Sequence, residues 1–306
     1  MKIPYYPGCT MVERAKHYNA SGLASAKALG IELEELPKWT CCGATFPLTL
    51  DRIAGLTSPA RVLVRTRMEK AEELVTLCPF CYNTLKRVNF ALKNNPEERR
   101  RINAYLKDDF EREGSTYENY TGEEVKVLHF LEVIRDRIGF DNLKEYIKTD
   151  LKGLKVASYY GCMLLRPEKE LNFDDTDNPS IMDELFAALG CEIIDFPHKV
   201  ECCGSYISLN SPEAALQSSY DIILSAQRFG ADAIAVTCSL CAFNLDERQG
   251  AMMEKFGPTP PMPILYFSQL LALALGVPQE ECGFQLHAVD PRPLLESYEL
   301  ITAEAK

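Results

Sequence analysis

Ten of the twelve cysteines in this 306-residue chain fall into two copies of one spacing, a repetition that constrains the fold more than any other feature. The first copy is Cys9, a gap of 31 residues, Cys41-Cys42-Gly43, a gap of 35 from Cys42, and Cys78-Pro79-Phe80-Cys81. The second is Cys162, a gap of 39, Cys202-Cys203-Gly204, a gap of 34 from Cys203, and Cys238-Ser239-Leu240-Cys241. Adjacent cysteines are poorly shaped to bond each other, because their Cβ vectors diverge along the chain. Thiolates do bind soft metals, and a Cys-x-x-Cys turn presents two sulfurs to one ion or cluster. Each set therefore reads as a metal site. Five thiols are one more than a tetrahedral zinc or a four-thiolate cubane uses, so either one cysteine in each set is idle or the bound group is larger.

Composition narrows the alternatives. With 46% hydrophobic residues over 306 positions, the chain can bury two cores of ordinary domain size, and two sites point to two domains, 1–152 and 153–306. No stretch approaches ~18 uninterrupted apolar residues. The start, Met1-Lys2-Ile3-Pro4-Tyr5, lacks the apolar core of a signal peptide. The expectation is a soluble, cytoplasmic protein without membrane insertion, and in a reducing compartment clustered cysteines bind metal rather than forming disulfides. The net charge of −11 argues against a nucleic-acid partner. Glu97-Glu98-Arg99-Arg100-Arg101 is mixed in sign and reads as a solvated helix face in a stretch reaching Glu113.

The halves repeat more than their cysteines. Tyr6-Pro7-Gly8-Cys9 recurs as Tyr159-Tyr160-Gly161-Cys162, Ala28-Leu29-Gly30 as Ala188-Leu189-Gly190, and Ser58-Pro59 as Ser211-Pro212. Short apolar runs alternate with helical patterns, which predicts an α/β fold: two pseudo-symmetric duplicated domains, each a small parallel sheet flanked by helices. Strands are expected at Ile3 to Tyr6, Glu32 to Leu36 and Leu74 to Leu77, then at Lys155 to Tyr160, Glu192 to Phe196 and Ala233 to Thr237. Helices are expected up to Leu29, from Ser58, from Asn178-Pro179 to Gly190, and from Ser211-Pro212 to about Phe229. The cysteines then follow strand ends, and the carboxyl ends of parallel strands are where such sheets hold ligands. Gly43 and Gly204 supply positions without a Cβ, where the backbone can turn tightly.

Taken together, the two Cys…Cys-Cys-Gly…Cys-x-x-Cys sets resemble the cysteine-rich CCG domains of the B subunit of heterodisulfide reductase, over nearly the whole chain. The resemblance implies that Cys9, Cys41, Cys42, Cys78 and Cys81 hold one non-cubane [4Fe-4S] cluster. Cys162, Cys202, Cys203, Cys238 and Cys241 would hold the other, which accounts for the fifth ligand. It further implies reduction of a small-molecule disulfide between the clusters, in methanogens the mixed disulfide of coenzyme M and coenzyme B. The expected partners are the ferredoxin-like C subunit and the flavin-containing A subunit of the same complex. An electron-relay or scaffold component of another redox complex, and a zinc-binding structural component, are the alternatives. No Cys-x-x-Cys-x-x-Cys-x-x-x-Cys run and no Gly-x-Gly-x-x-Gly fingerprint occurs, so electrons are expected from elsewhere.

Several other residues carry expectations. Tyr6, Tyr160, His198 and Lys199 lie near the cysteines in sequence and are the candidates for a proton donor that the sequence does not name; His198 reads first as a surface histidine at a strand end. The run Asp174-Asp175-Thr176-Asp177 falls in the longer second-half spacer and reads as a solvated loop. Cys191 reads as a small buried hydrophobe, Cys282 as a surface or turn residue, and the tail from Gly276 as a cover for the core or a partner contact.

Overall fold

A computed structural model of the chain describes residues 1–44 and 51–302. Two four-stranded sheets, parallel throughout, organise it. The first contains β1 (Lys2–Tyr5), β2 (Glu32–Glu35), β3 (Glu73–Thr76) and β4 (Lys126–His129), in the order β2-β1-β3-β4. The second repeats it with β5 (Lys155–Tyr159), β6 (Glu192–Ile193), β7 (Ala233–Val236) and β8 (Ile264–Tyr266), in the order β6-β5-β7-β8. Parallel neighbours need crossover connections, and helices supply them on the sheet faces. The expected duplicated α/β architecture is therefore present, and the six predicted strands stand close to their expected positions.

The fourth strand of each sheet is not among those predicted. Both run without a break into a buried helix, Phe130–Val133 after β4 and Phe267–Ala274 after β8, so no polar punctuation marks the boundary. Caps mark it instead. Glu132 accepts from the His129 amide at 2.8 Å, and Gln269 accepts from the Tyr266 amide at 2.9 Å.

Two helix starts are corrected. The first-half helix predicted from Ser58 spans Arg52–Met68, capped by the Asp51 carboxylate, which accepts from Ile53 and Ala54 at 2.9 and 3.1 Å. Pro59 lies inside that helix, whereas Ser211-Pro212 opens its counterpart Pro212–Arg228, so the two Ser-Pro pairs are not equivalent positions. The helix predicted from Asn178-Pro179 spans Ile181–Ala188. Asp174 accepts from the Ser180 and Ile181 amides at 2.8 and 2.9 Å, and Asp175 from Asp177 and Asn178, so the acidic run builds the turn that enters the helix. The Glu97–Arg101 run lies in the first turns of the helix Pro96–Arg112, ahead of its buried residues, and there Arg100 pairs with Glu97 at 2.8 Å.

The halves pack directly on one another. Tyr18 and Tyr266 stack with ring centroids 4.1 Å apart, and the Ser21 and Ser268 hydroxyls meet at 2.7 Å. The tail joins this seam. His287 contacts Gln269 at 3.0 Å and its ring lies 4.8 Å from that of His17, while the Ala288 and Val289 amides, each at 2.9 Å, bind the buried Asp246 carboxylate. Residues 303–306 lie outside the described residues. Cys191 is buried as expected, but Cys282 is fully buried rather than on the surface, because the short helix Gln279–Cys282 packs against the helices Lys16–Ala28 and Phe267–Ala274.

Candidate metal centre

Six of the ten patterned cysteines, Cys9, Cys78, Cys81, Cys162, Cys238 and Cys241, lie just beyond strand ends, while the two Cys-Cys pairs sit farther along the loops that follow β2 and β6. Cys9 follows β1 and opens the short helix Cys9–Glu13; Cys78 follows β3 and stands immediately before the helix Pro79–Asn94, whose first turn carries Cys81. Cys238 and Cys241 sit likewise after β7. Pro79 suits that position, since the first helical amide has no partner to lose.

Each set has a floor and a rim. Cys42, Cys78 and Cys81 are buried while Cys9 and Cys41 are exposed; in the second half Cys203, Cys238 and Cys241 are buried, Cys202 is exposed and Cys162 is intermediate. The paired cysteines thus divide, one sulfur on the floor and one on the rim. In the first set, hydrogen-bonding contacts run from Cys9 to Cys41, Cys42, Cys81 and Cys78 in turn. In the second, Cys162 and Cys202 are 3.7 Å apart and Cys203 and Cys241 3.5 Å apart. Among the described residues, no three His, Cys, Asp or Glu side chains meet as ligands of a single metal ion. The sulfurs of each set meet through pairwise contacts, a donor set of five thiols that fits a group of several atoms.

The electrostatics follow from the sulfur contacts. Hydrogen bonds from Cys42 and Cys9 hold the Cys41 thiol far below its ordinary range, to about 2, with the Gly43 and Ala44 amides assisting. The contact with Cys162 lowers Cys202 to about 6, and that with Cys241 lowers Cys203 to about 7. Cys9, Cys81, Cys162 and Cys241 are pushed up, mainly by hydrogen bonds with neighbouring sulfurs, with burial adding most at Cys81 and Cys241. Thiols that share protons in this way present ready thiolates to an incoming metal.

The loops carrying the paired cysteines are fixed by matching devices. Tyr6 donates to the Thr40 carbonyl at 2.8 Å and Tyr159 to the Glu201 carbonyl at 2.7 Å, in each case the residue before the Cys-Cys pair. Gly43 and Gly204 adopt φ of 69° and 83°, and their amides point at the Cys41 and Cys202 sulfurs at 3.5 and 3.3 Å. The expected tight turn is present at both. Gly8 is a further close approach: a Cβ there would lie 2.7 Å from the Cys81 sulfur.

Of the four candidate proton donors, three are occupied structurally. Tyr6 is tied to Thr40 as above, the Tyr160 hydroxyl accepts from the Met182 amide at 2.9 Å, and the Lys199 ammonium binds Asn178 at 3.0 Å and Asp195 at 2.9 Å. Of these four, His198 alone keeps a buried ring nitrogen, Nδ1, without a partner.

Sequence reasoning missed residues that reach the sites from elsewhere. Ser205 lies 2.9 Å from the Cys203 sulfur, and Asn244 donates to the Cys203 carbonyl at 3.0 Å. Asn244 stands in a π turn, Phe243–Glu247, three residues beyond Cys241, whereas Asn83 stands two residues beyond Cys81. Tyr206 also enters the space between the sets, where Cys162, Cys42 and Cys238 all act on it, and burial pushes its hydroxyl up to about 12.

The cysteine-rich domain family, CCG, matches residues 3–86 and 156–246, more than half of the chain. The chain belongs to this family. It is 33% identical over 296 residues to the B subunit of the ferredoxin:CoB-CoM heterodisulfide reductase of Methanosarcina mazei, covering 94% of both chains. It is also 31% identical over 294 residues to the 8-methylmenaquinol:fumarate reductase membrane anchor subunit of Wolinella succinogenes, covering 96% of this chain and 99% of that one. A crystal structure of a hypothetical protein from Helicobacter pylori shares the fold, with a TM-score of 0.74 at 13% identity; it covers 94% of this chain, which spans 51% of that one. No helix among the described residues is long and apolar enough to cross a membrane.

Proposed function

We propose that this chain is the disulfide-reducing component of a heterodisulfide reductase-like complex, with a non-cubane [4Fe-4S] cluster in each half. Cys9, Cys41, Cys42, Cys78 and Cys81 would hold one, and Cys162, Cys202, Cys203, Cys238 and Cys241 the other, with the halves dividing near residue 152. The observation that carries the reading is the repeated set of five thiols, three buried and two nearer the surface. A zinc site needs only four ligands around one point, which leaves the fifth thiol without a purpose. The Methanosarcina relative, similar over nearly all of both chains, supports the same reading.

When bound, two such clusters would deliver one electron each and offer iron to the sulfurs of a disulfide. The chain's own residues shape that chemistry. The rim cysteines leave each site open on one side, the substrate enters where the halves meet, and the two thiols formed need two protons from groups at that seam. Of the four residues near the cysteines in sequence, His198 is the one whose ring nitrogen is left without a partner. Electrons would come from a ferredoxin-like C subunit, fed by a flavin-containing A subunit, in the cytoplasm.

The Wolinella relative gives a second reading some weight, since that protein is named as an anchor subunit of a fumarate reductase. In that reading the sites relay electrons to another protein. The two are separated by supplying the anaerobically purified chain with a reduced viologen and a disulfide, including that of coenzyme M and coenzyme B, and titrating the thiols released. Two thiols per disulfide, with viologen oxidised in step, supports disulfide reduction. Clusters that take up electrons while no disulfide in the panel is cleaved would point to relay.

A further inference from the structure

Each cysteine site leans on a side chain from the opposite half. Tyr206, two residues beyond Gly204, donates its hydroxyl to the Ala44 carbonyl at 2.9 Å, one residue beyond Gly43. Its ring lies 5.3 Å from that of Phe80, which stands between Cys78 and Cys81. The Ala44 amide faces the Cys41 sulfur, so this short stretch is held at one end by a first-half thiol and at the other by a second-half tyrosine.

The reverse contact comes from Asn83, two residues beyond Cys81. It is buried, and its amide group donates to the Met163 and Arg166 carbonyls at 2.7 Å each. Those carbonyls belong to the turn that Cys162 opens, closed by the Arg166 amide on the Cys162 carbonyl at 3.0 Å. Asn244, three residues beyond Cys241, binds its own half instead, donating to the Cys203 carbonyl. The two crossing contacts are thus not copies of one duplicated device; they are different residues doing the same work in opposite directions.

We infer that Tyr206 and Asn83 are positioning residues that each set the geometry of the other half's cysteine site, so that the two sites are built as one unit. Two electrons delivered to one disulfide require two sites at a fixed separation, and crossed contacts fix it in a way that contacts within each half do not. The inference deepens the cluster reading, but its first test does not depend on it.

The test is hydrogen exchange by mass spectrometry on the full anaerobic chain, with Tyr206→Phe and Asn83→Ala. Tyr206→Phe keeps the ring and removes one hydrogen bond, so exchange at Gly43 and Ala44 should speed up about fivefold. The 161–166 turn should change by less than about twofold. Asn83→Ala removes two bonds and should speed exchange in 161–166 by about tenfold, with the Gly43 region unchanged. Alanine also favours the helix carrying position 83, so its own half should not loosen. A second readout is spectroscopic: the signal lost in Cys42→Ser should shift in Tyr206→Phe, and the signal lost in Cys203→Ser should shift in Asn83→Ala. Effects confined to each variant's own half, a uniform rise along the chain, or no change would each overturn the inference. Absence of iron from the unaltered chain would sink the cluster reading, while the exchange pattern would still decide whether the halves position each other.

Discussion

Gly43 and Gly204 occupy equivalent positions, yet the structure predicts unequal costs for the same substitution. Both adopt left-handed backbone, which costs a residue with a Cβ about 1–2 kcal/mol. At Gly204 the added Cβ would also lie 2.7 Å from the Cα of Ala215 and 2.8 Å from its Cβ. Ala215 is buried in the first turn of the helix Pro212–Arg228, so the neighbour that must give way is backbone, and such overpacking adds about 1–3 kcal/mol. At Gly43 the nearest described atoms are 3.6 Å from where the added Cβ would sit, an ordinary contact. Gly204→Ala should therefore cost about 2–5 kcal/mol and Gly43→Ala about 1–2 kcal/mol. Anaerobic urea unfolding followed by circular dichroism reads the difference as a lower midpoint for Gly204→Ala. Equal midpoints, or a lower one for Gly43→Ala, would refute the claim that the Ala215 contact distinguishes the two turns.

Two further outcomes follow from the geometry. His129 is buried, with Nε2 on the Leu77 carbonyl at 2.8 Å, and burial lowers its pKa to about 4. Because the folded value lies below the unfolded value of about 6.5, the neutral ring's full contribution is present above about pH 6.5 and falls away as pH drops toward 4, by about 3 kcal/mol at most. His17, also lowered to about 4 by burial and by His287, acts in the same direction. The urea midpoint should accordingly fall between about pH 7 and about pH 5, and an unchanged midpoint would contradict this. Gly8→Ala should disturb the first site more than Gly161→Ala disturbs the second, since the added Cβ would lie 2.7 Å from the Cys81 sulfur in one case and 3.5 Å from the Cys241 sulfur in the other. Metal content per chain measures this, and equal retention by both variants would show that the closer approach is without effect.

The central strands are legible in the sequence because they are local. Ala233 to Val236 is a short apolar run that leads into Cys238, and its counterpart before Cys78 reads the same way. β8 is hidden because the strand and the next helix are both buried, and between Ile264 and Leu275 only Ser268 and Gln269 interrupt the apolar run, with no Gly or Pro to mark the join. Pro59 misdirects the start of its helix because a proline reads as a first-turn residue, while the cap, Asp51, stands eight positions earlier. The grouping of the cysteines into two sets is an expectation read from spacing alone. The division of each set into floor and rim is not read that way, because burial depends on which side of the turn each sulfur of the Cys-Cys pair takes. Tyr206 and Asn83 are not readable at all, since their partners lie 162 and up to 83 positions away and follow from how the halves pack.

The most direct measurement is the iron, acid-labile sulfide and zinc content of anaerobically prepared chain. Two four-iron clusters predict about eight irons with matching sulfide per chain, and Cys42→Ser or Cys203→Ser should each reduce both by about half. One or two zinc ions with little sulfide would contradict the account and make the ten cysteines a structural framework.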